Sequence, residues 1–224
     1  MRVETLIFDM DNTLYDERQY VRSGFRAVSE YMAEKFKMDK DEMFSLFLSI
    51  FSKQGRGEVF NTALEEFDMK KEETIQEMIS VYRNHSPTIT VFKDTNNTLS
   101  KLKQKHHLGL ITDGVKKVQE IKVEALKIAS FFEVITYAID YGGKNNAVFL
   151  TTLEKLKTNP TNSVYIDDNP TKTFAIAKNL GIYTIRIRKG ENKNIENADE
   201  QCKPDFEIKN LEEILGIIQY IESA

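Results

Sequence analysis

Four short polar segments of this chain together contain carboxylates, hydroxyls and an ammonium group, and these residue types could do chemistry. In chain order they are Asp9-Met10-Asp11-Asn12-Thr13, Thr112-Asp113-Gly114, Lys144 and Asp167-Asp168-Asn169-Pro170. Taken singly, each of the three acidic segments also fits an ordinary turn, loop or helix cap. Gathered in one place, the carboxylates would repel one another unless a cation or a reaction required them. A hard divalent cation such as Mg²⁺, which takes oxygen ligands, would meet that requirement.

Predicted β-strands position these polar segments. Each segment follows an apolar or extended stretch of the chain, and these stretches lie at 6–8, 108–111, 134–138 and 164–166. A short continuous apolar run is typical of a strand buried on both faces. Ligands of parallel α/β sheets bind at the carboxyl ends of the strands. We therefore expect the polar segments to meet at one edge of a sheet.

After Pro87 the pattern alternates between extended apolar segments and amphipathic helices. Two further strands are predicted at 182–187 and 206–208, the first of them after a helix that ends at Gly181 as its C-cap. Alternating strands and helices are typical of an α/β domain with a parallel sheet. Together with the first strand, they predict an α/β fold with a Rossmann-like, doubly wound parallel sheet.

The segment between the first strand and Pro87 has a different period. Its apolar side chains recur every three or four residues in four stripes, as amphipathic helices require; the first stripe comprises Val21, Phe25, Val28, Met32 and Phe36. Short polar loops separate the stripes, as in an antiparallel bundle. We predict an α/β core formed by residues 1–15 and 86–224, with an α-helical bundle inserted at 16–85 as a cap.

Composition excludes several classes of function. The 224 residues include 31 Lys and Arg against 35 Asp and Glu, a net charge of −4, so there is no basic field to bind a nucleic acid. A single cysteine, Cys202, is too few for an intramolecular disulfide or a structural zinc site. No apolar stretch has membrane-spanning length. We expect a cytoplasmic protein, monomeric or homodimeric, in which the polar run 189–203 is a solvated loop.

The order of the polar segments resembles the four motifs of the haloacid dehalogenase-like (HAD) hydrolase superfamily. Asp-x-Asp-x-Thr follows the first strand, a hydrophobic run ends in Thr112, a lysine comes next, and an acidic pair follows a later strand. The likeness spans nearly the whole chain, and the insertion resembles the superfamily's helical-cap subclass. Dehalogenases of the superfamily lack the second aspartate and need no metal. The presence of Asp11 therefore favours a phosphatase or a phosphotransferase.

The resemblance implies a role for each matched residue. Asp9 would be the nucleophile that attacks a phosphoryl group and forms an aspartyl-phosphate. Asp11 would protonate the leaving oxygen and later activate water. Thr112, Asp113 and Lys144 would bind the phosphoryl group, and Lys144 would also pair with Asp9. The expected reaction is hydrolysis of a small phosphorylated metabolite.

The resemblance also implies a Mg²⁺ site, held by Asp9, the backbone carbonyl of Asp11 and the pair Asp167 and Asp168. We assign Asp168 to the aspartate of the family's usual Gly-Asp and Asp167 to the supplementary acid, with the reverse assignment open. The segment around Lys144 lacks the prolines usual in the lysine motif. Arg56, in the Gly-Arg-Gly segment of the cap, is either a ligand for an anionic substrate group or a solvated arginine.

Other functions stay open at this point. A phosphotransferase or mutase of the same superfamily would pass the phosphoryl group to an alcohol instead of water. A phospho-accepting receiver module uses a similar residue set, but its acidic pair lies on the first strand and no helical insertion follows. A noncatalytic member of the superfamily would act through protein contacts alone.

Overall fold

The computed structural model describes residues 2–170, 172–196 and 199–223. Its β-strands are β1 (Thr5–Phe8), β2 (His107–Thr112), β3 (Val134–Tyr137), β4 (Ser163–Asp167), β5 (Tyr183–Ile187) and β6 (Phe206–Ile208). Its α-helices are α1 (Arg18–Phe36), α2 (Lys40–Gln54), α3 (Val59–Glu66), α4 (Glu72–Asn84), α5 (Thr95–Lys103), α6 (Lys116–Leu126), α7 (Asn146–Leu156), α8 (Lys172–Asn179) and α9 (Ile214–Ser223). Within these residues, no helix is both long and apolar enough to cross a membrane.

The strands form one parallel sheet in the order β3-β2-β1-β4-β5-β6. The chain winds outward from β1 in both directions, so β1 and its two neighbours end beside one another. Phe8 is level with Leu110 on β2 and with Ile166 on β4. The residues that follow these positions therefore meet at a topological switch point, where α/β sheets bind ligands. The predicted Rossmann-like parallel α/β fold is confirmed.

Alternation along the central strands buries side chains on both faces of the sheet. On one face Ile7, Ile111 and Tyr165 pack against apolar residues of α7 and α8. Tyr165 meets Phe149 of α7 edge to face, with ring centroids 4.8 Å apart. Because the strands are packed on both sides, their ends are held firmly at the edge where the polar segments lie.

The chain forms two compact units. One comprises the residues up to Glu17 together with those from Thr90 onward and contains the sheet, while the other, Arg18–Ile89, contains α1 to α4. The sequence pattern divided the chain at 15/16 and 85/86. The role of the helical unit as a cap stays a prediction.

Phe25 of α1 lies at the centre of the helical unit's own core. Its ring contacts aromatic rings from α2, α3 and α4, which are Phe47, Phe51, Phe60 and Tyr82. The neighbouring Gly24 lets α1 approach Tyr82, because a Cβ atom at Gly24 would lie 2.5 Å from two carbons of the Tyr82 ring. Tyr82 is also held edge to face by Tyr20.

Replacing Gly24 by alanine tests this packing. Alanine in a helix is ordinarily favoured over glycine by about 1 kcal/mol, but overpacking a fixed core costs about 1–3 kcal/mol. We expect Gly24→Ala to lower the free energy of unfolding in urea. Gly216→Ala is the matched control, because nothing lies within 4 Å of a Cβ at Gly216 in α9, and it should leave stability unchanged or raise it. A Gly24→Ala protein as stable as the parent would contradict the packing argument.

Candidate functional site

Three carboxylates converge at the carboxyl edge of the sheet. Oxygens of Asp9, Asp167 and Asp168 all lie within 4.8 Å of one another, and all three residues are buried. Asp9 follows β1, and its backbone N–H donates to the carbonyl of Ile166 at 2.9 Å. Asp167 ends β4, the strand that pairs with β1. The parallel pairing of two central strands is therefore what brings these carboxylates together.

The Lys144 ammonium lies between two of these carboxylates. Its Nζ donates to Asp9 Oδ1 at 2.7 Å and to Asp167 Oδ2 at 2.9 Å. Lys144 lies in the loop between β3 and α7, directly after Gly143, whose φ of 104° is one that side-chain-bearing residues rarely adopt. Burial disfavours the charged lysine, but the charges of Asp167 and Asp9 outweigh it and raise the pKa of Lys144 well above its usual value.

Charge in this cluster is not balanced by protein groups alone. Burial, together with repulsion from Asp167 and Asp11, raises the pKa of Asp9 to about 7 despite Lys144. Burial and the charges of Asp167 and Asp9 raise the pKa of Asp168 to about 9. Among the described residues, the Lys144 ammonium is bonded to two of these three crowded carboxylates. Their hard oxygen donors and shared excess of negative charge fit a divalent cation.

Asp11 has a different environment from Asp9. Its Oδ1 accepts hydrogen bonds from the Tyr15 hydroxyl at 2.5 Å and from Lys122 Nζ at 2.8 Å. Its Oδ2 accepts one from Gln119 Nε2 at 2.9 Å. Burial would raise the pKa of Asp11, but the Lys122 charge and the three donors together lower it below its usual value. The pKa values of two aspartates that lie two residues apart are therefore shifted in opposite directions.

The other residues predicted from the sequence lie in distinct settings. Thr112 ends β2, is buried, and its hydroxyl accepts a hydrogen bond from Gln119. Asp113 is exposed, and its carboxylate accepts the N–H of Gly114 at 2.9 Å. Arg56 belongs to the helical unit, where it is exposed in the loop between α2 and α3. The roles of these residues stay predictions.

Sequence reasoning missed the two donors that α6 supplies to Asp11. Gln119 and Lys122 are three residues apart, so they project from the same face of the helix. Both are almost fully buried. Nothing in the local pattern distinguishes them from ordinary surface residues of an amphipathic helix. Their burial depends on the loop after β1, which is distant in the chain.

The loop after β5 also contributes to the site, contrary to the expectation of a solvated loop at 189–203. Asn192 Nδ2 donates to Asp168 Oδ2 at 2.9 Å. Arg186 of β5 is completely buried, and its guanidinium donates to the carbonyls of Asp168 at 3.3 Å and Asn192 at 2.9 Å. An arginine inside an apolar strand was the one sequence signal that this loop is tied to the core.

Known proteins with related sequences are consistent with this geometry. The haloacid dehalogenase-like hydrolase family matches residues 6–187. Glyceraldehyde 3-phosphate phosphatase of Methanocaldococcus jannaschii is 28% identical, over 98% of this chain and 99% of the relative. Pyrophosphatase PpaX of Bacillus mycoides is 22% identical, over 99% of each chain.

Solved structures of the same superfamily resemble this chain in fold. The crystal structure of a HAD phosphatase from Thermococcus onnurineus is 25% identical, with a TM-score of 0.62 over 96% of this chain and 97% of that one. The enzyme class predicted from the motifs, a phosphatase of this superfamily, has the support of these relatives. Since the family matches most of the sequence, from β1 to the end of β5, this chain belongs to the haloacid dehalogenase-like hydrolases.

Proposed function

We propose that this chain is a Mg²⁺-dependent phosphatase of small phosphate monoesters that acts through an aspartyl-phosphate on Asp9. The observation that carries the proposal is the contrast between two aspartates. Asp9 lies in a cluster of carboxylates beside the Lys144 ammonium, while Asp11 is held apart by its own donors. A nucleophile and a proton-transfer group need such different environments. Relatives named as phosphatases support the same chemistry.

Mg²⁺ would be held by the carboxylates of Asp9 and Asp168 and by the backbone carbonyl of Asp11, with Asp167 as supplementary acid. Asp168 is the better direct ligand because Asp167 already accepts the Lys144 ammonium, whereas Asp168 accepts only a neutral amide among its described side-chain donors. When bound, the cation supplies positive charge that offsets the carboxylates and the transferred phosphoryl group.

The chain's own residues would perform two successive displacements at phosphorus. An oxygen of Asp9 forms a bond to phosphorus while the ester P–O bond breaks, and Asp11, which must first take up a proton from solvent, gives that proton to the leaving alcohol. Water then attacks phosphorus, the bond to Asp9 breaks, and Asp11 takes up the proton from that water. Thr112 and Lys144 bind phosphoryl oxygens throughout, so catalysis is mainly positioning and electrostatic stabilisation.

In this proposal the helical unit keeps its predicted role as a cap that admits a small substrate and excludes bulk water. Arg56 is then the cap residue for an anionic group on the substrate. Glyceraldehyde 3-phosphate and pyrophosphate are the first compounds to assay, because they appear in the names of the relatives.

Asp9→Asn tests the nucleophile. The amide keeps the shape of the side chain but cannot form the aspartyl-phosphate, which is an acyl phosphate, so turnover of p-nitrophenyl phosphate should fall by about 1,000-fold or more. Acid quench and peptide mass spectrometry should find a phosphoryl group on Asp9 of the parent and none on the variant. Equal release of phosphate and alcohol with glycerol present indicates hydrolysis, whereas a phosphate deficit indicates transfer. Full activity of a folded Asp9→Asn protein would refute the assignment.

Mg²⁺ should stabilise the folded chain, because a bound dication relieves repulsion among the carboxylates. At a concentration about 100 times the dissociation constant the gain is about 3 kcal/mol. Thermal unfolding with Mg²⁺ or with a chelator measures this gain. Asp168→Asn should reduce the Mg²⁺-dependent shift in Tm. Glu154→Gln, which removes an exposed carboxylate from α7, should not; equal shifts in both variants would exclude Asp168 as a ligand.

Lys144→Met tests the ammonium at the carboxylate cluster. Breaking a buried ion pair by removing one partner costs about 3–5 kcal/mol, because an uncompensated charge stays buried. Urea unfolding in chelator should therefore show a large loss of stability. Lys116→Met is the matched control, since its pair with Asp140 has the same 2.7 Å separation but is about half exposed on both sides. Similar unfolding midpoints for the two variants would contradict the proposed importance of Lys144.

A further inference from the structure

A buried ammonium on α6 faces the carboxylate proposed for proton transfer. Lys122 Nζ lies 2.8 Å from Asp11 Oδ1 and 3.5 Å from Glu17 Oε1, and the lysine side chain is only 4% exposed. Burying an ammonium is costly unless it is paired and hydrogen-bonded. These two carboxylates therefore offset the cost of burying the Lys122 ammonium, and Asp11 is the closer of the two.

Gln119, one helical turn earlier on α6, holds the other oxygen of Asp11. Its Nε2 donates to Asp11 Oδ2 at 2.9 Å and also to the hydroxyl of Thr112. A single amide thus connects Asp11 to the last residue of the neighbouring strand, β2. Rotation of the Asp11 carboxylate would break its bond to Gln119 on one side and its bond to Lys122 on the other.

The pattern of bonds determines which oxygen of Asp11 can still accept a proton. A carboxylate oxygen has about two acceptor positions. Oδ1 uses both, for Tyr15 and Lys122. Among the described contacts, Oδ2 uses one, for Gln119, and keeps a second. All three partners are donors, so the group they hold is the carboxylate, which is the form that can act as a base.

We propose that Lys122 and Gln119 are positioning residues that hold the Asp11 carboxylate as the base for the second chemical step. This inference rests on the proposed function, in which water hydrolyses the aspartyl-phosphate on Asp9. In that step water oxygen bonds to phosphorus, the P–O bond to Asp9 breaks, and the water proton passes to Asp11 Oδ2. Inorganic phosphate leaves, and Asp9 is restored as a carboxylate.

Lys122→Met provides the test, with p-nitrophenyl phosphate as substrate. The p-nitrophenolate leaving group is a stable anion that departs without a proton, so phosphorylation of Asp9 should proceed in the variant. Hydrolysis of the aspartyl-phosphate should be slowed, because it needs Asp11 as a base. We expect steady-state kcat to fall about 10- to 100-fold after an initial burst of p-nitrophenolate. Acid-quenched protein should carry a phosphoryl group on Asp9. Lys122→Arg should restore most of the activity, and Lys155→Met, at an exposed lysine of α7, should match the parent.

A comparison in the Asp11→Asn background separates positioning from a purely structural role. If Lys122 acts through Asp11, adding Lys122→Met to Asp11→Asn should change kcat by less than about twofold, since coupled residues are not additive. Gln119→Leu should lower kcat by a smaller factor and give the same burst of p-nitrophenolate. If circular dichroism shows that Lys122→Met is unfolded, Gln119→Leu replaces it as the test variant.

Three results would overturn the inference. They are unchanged kcat in Lys122→Met, a loss without a burst or phosphorylated Asp9, and an equal loss with and without Asp11. Failure of the proposed function looks different, because the parent itself would then release no phosphate and no variant would carry a phosphoryl group on Asp9.

Discussion

Crowding of carboxylates at the end of two parallel strands is the constraint on which the rest of this structure depends. Pairing of β1 with β4 brings Asp9 and Asp167 together regardless of their charge, and Asp168 follows immediately. The sheet is packed on both faces, so the strand ends cannot separate to relieve repulsion. Neighbouring elements must therefore supply positive charge and hydrogen-bond donors. The negative charge that they leave uncompensated favours binding of a cation.

Three segments distant in the sequence meet that demand in different ways. The loop before α7 supplies the Lys144 ammonium, helix α6 supplies Lys122 and Gln119, and the loop after β5 supplies Asn192. That last loop is tied to the core by the buried Arg186, whose guanidinium donates to the backbone carbonyls of Asp168 and Asn192. Apart from Lys144, which is also proposed to bind the phosphoryl group, these side chains support the carboxylates without a proposed contact to the substrate.

The two aspartates of the first motif, Asp9 and Asp11, differ in pKa because the lysine ammonium groups are distributed unequally between them. Asp9 shares one ammonium with Asp167 and lies near other negative charges, which raises its pKa to about 7. Although Asp11 is also largely enclosed, with its side chain 18% exposed, Lys122 and neutral donors keep its pKa below the usual value. In the proposed mechanism, environment more than residue type thus divides the labour between two identical side chains.

The sequence by itself determined the architecture of the sheet, the strand ends that carry polar residues and the family, because local apolar periodicity and motif order are properties of neighbouring residues. It could also nominate Asp9, Asp11, Lys144 and the acidic pair, since strand-end positions follow from the fold class. Tertiary structure alone decided that Lys122, Gln119, Arg186 and Asn192 surround those residues. The positions of Lys122 and Gln119 beside Asp11 arise from contacts between segments more than a hundred residues apart, which a local pattern does not encode.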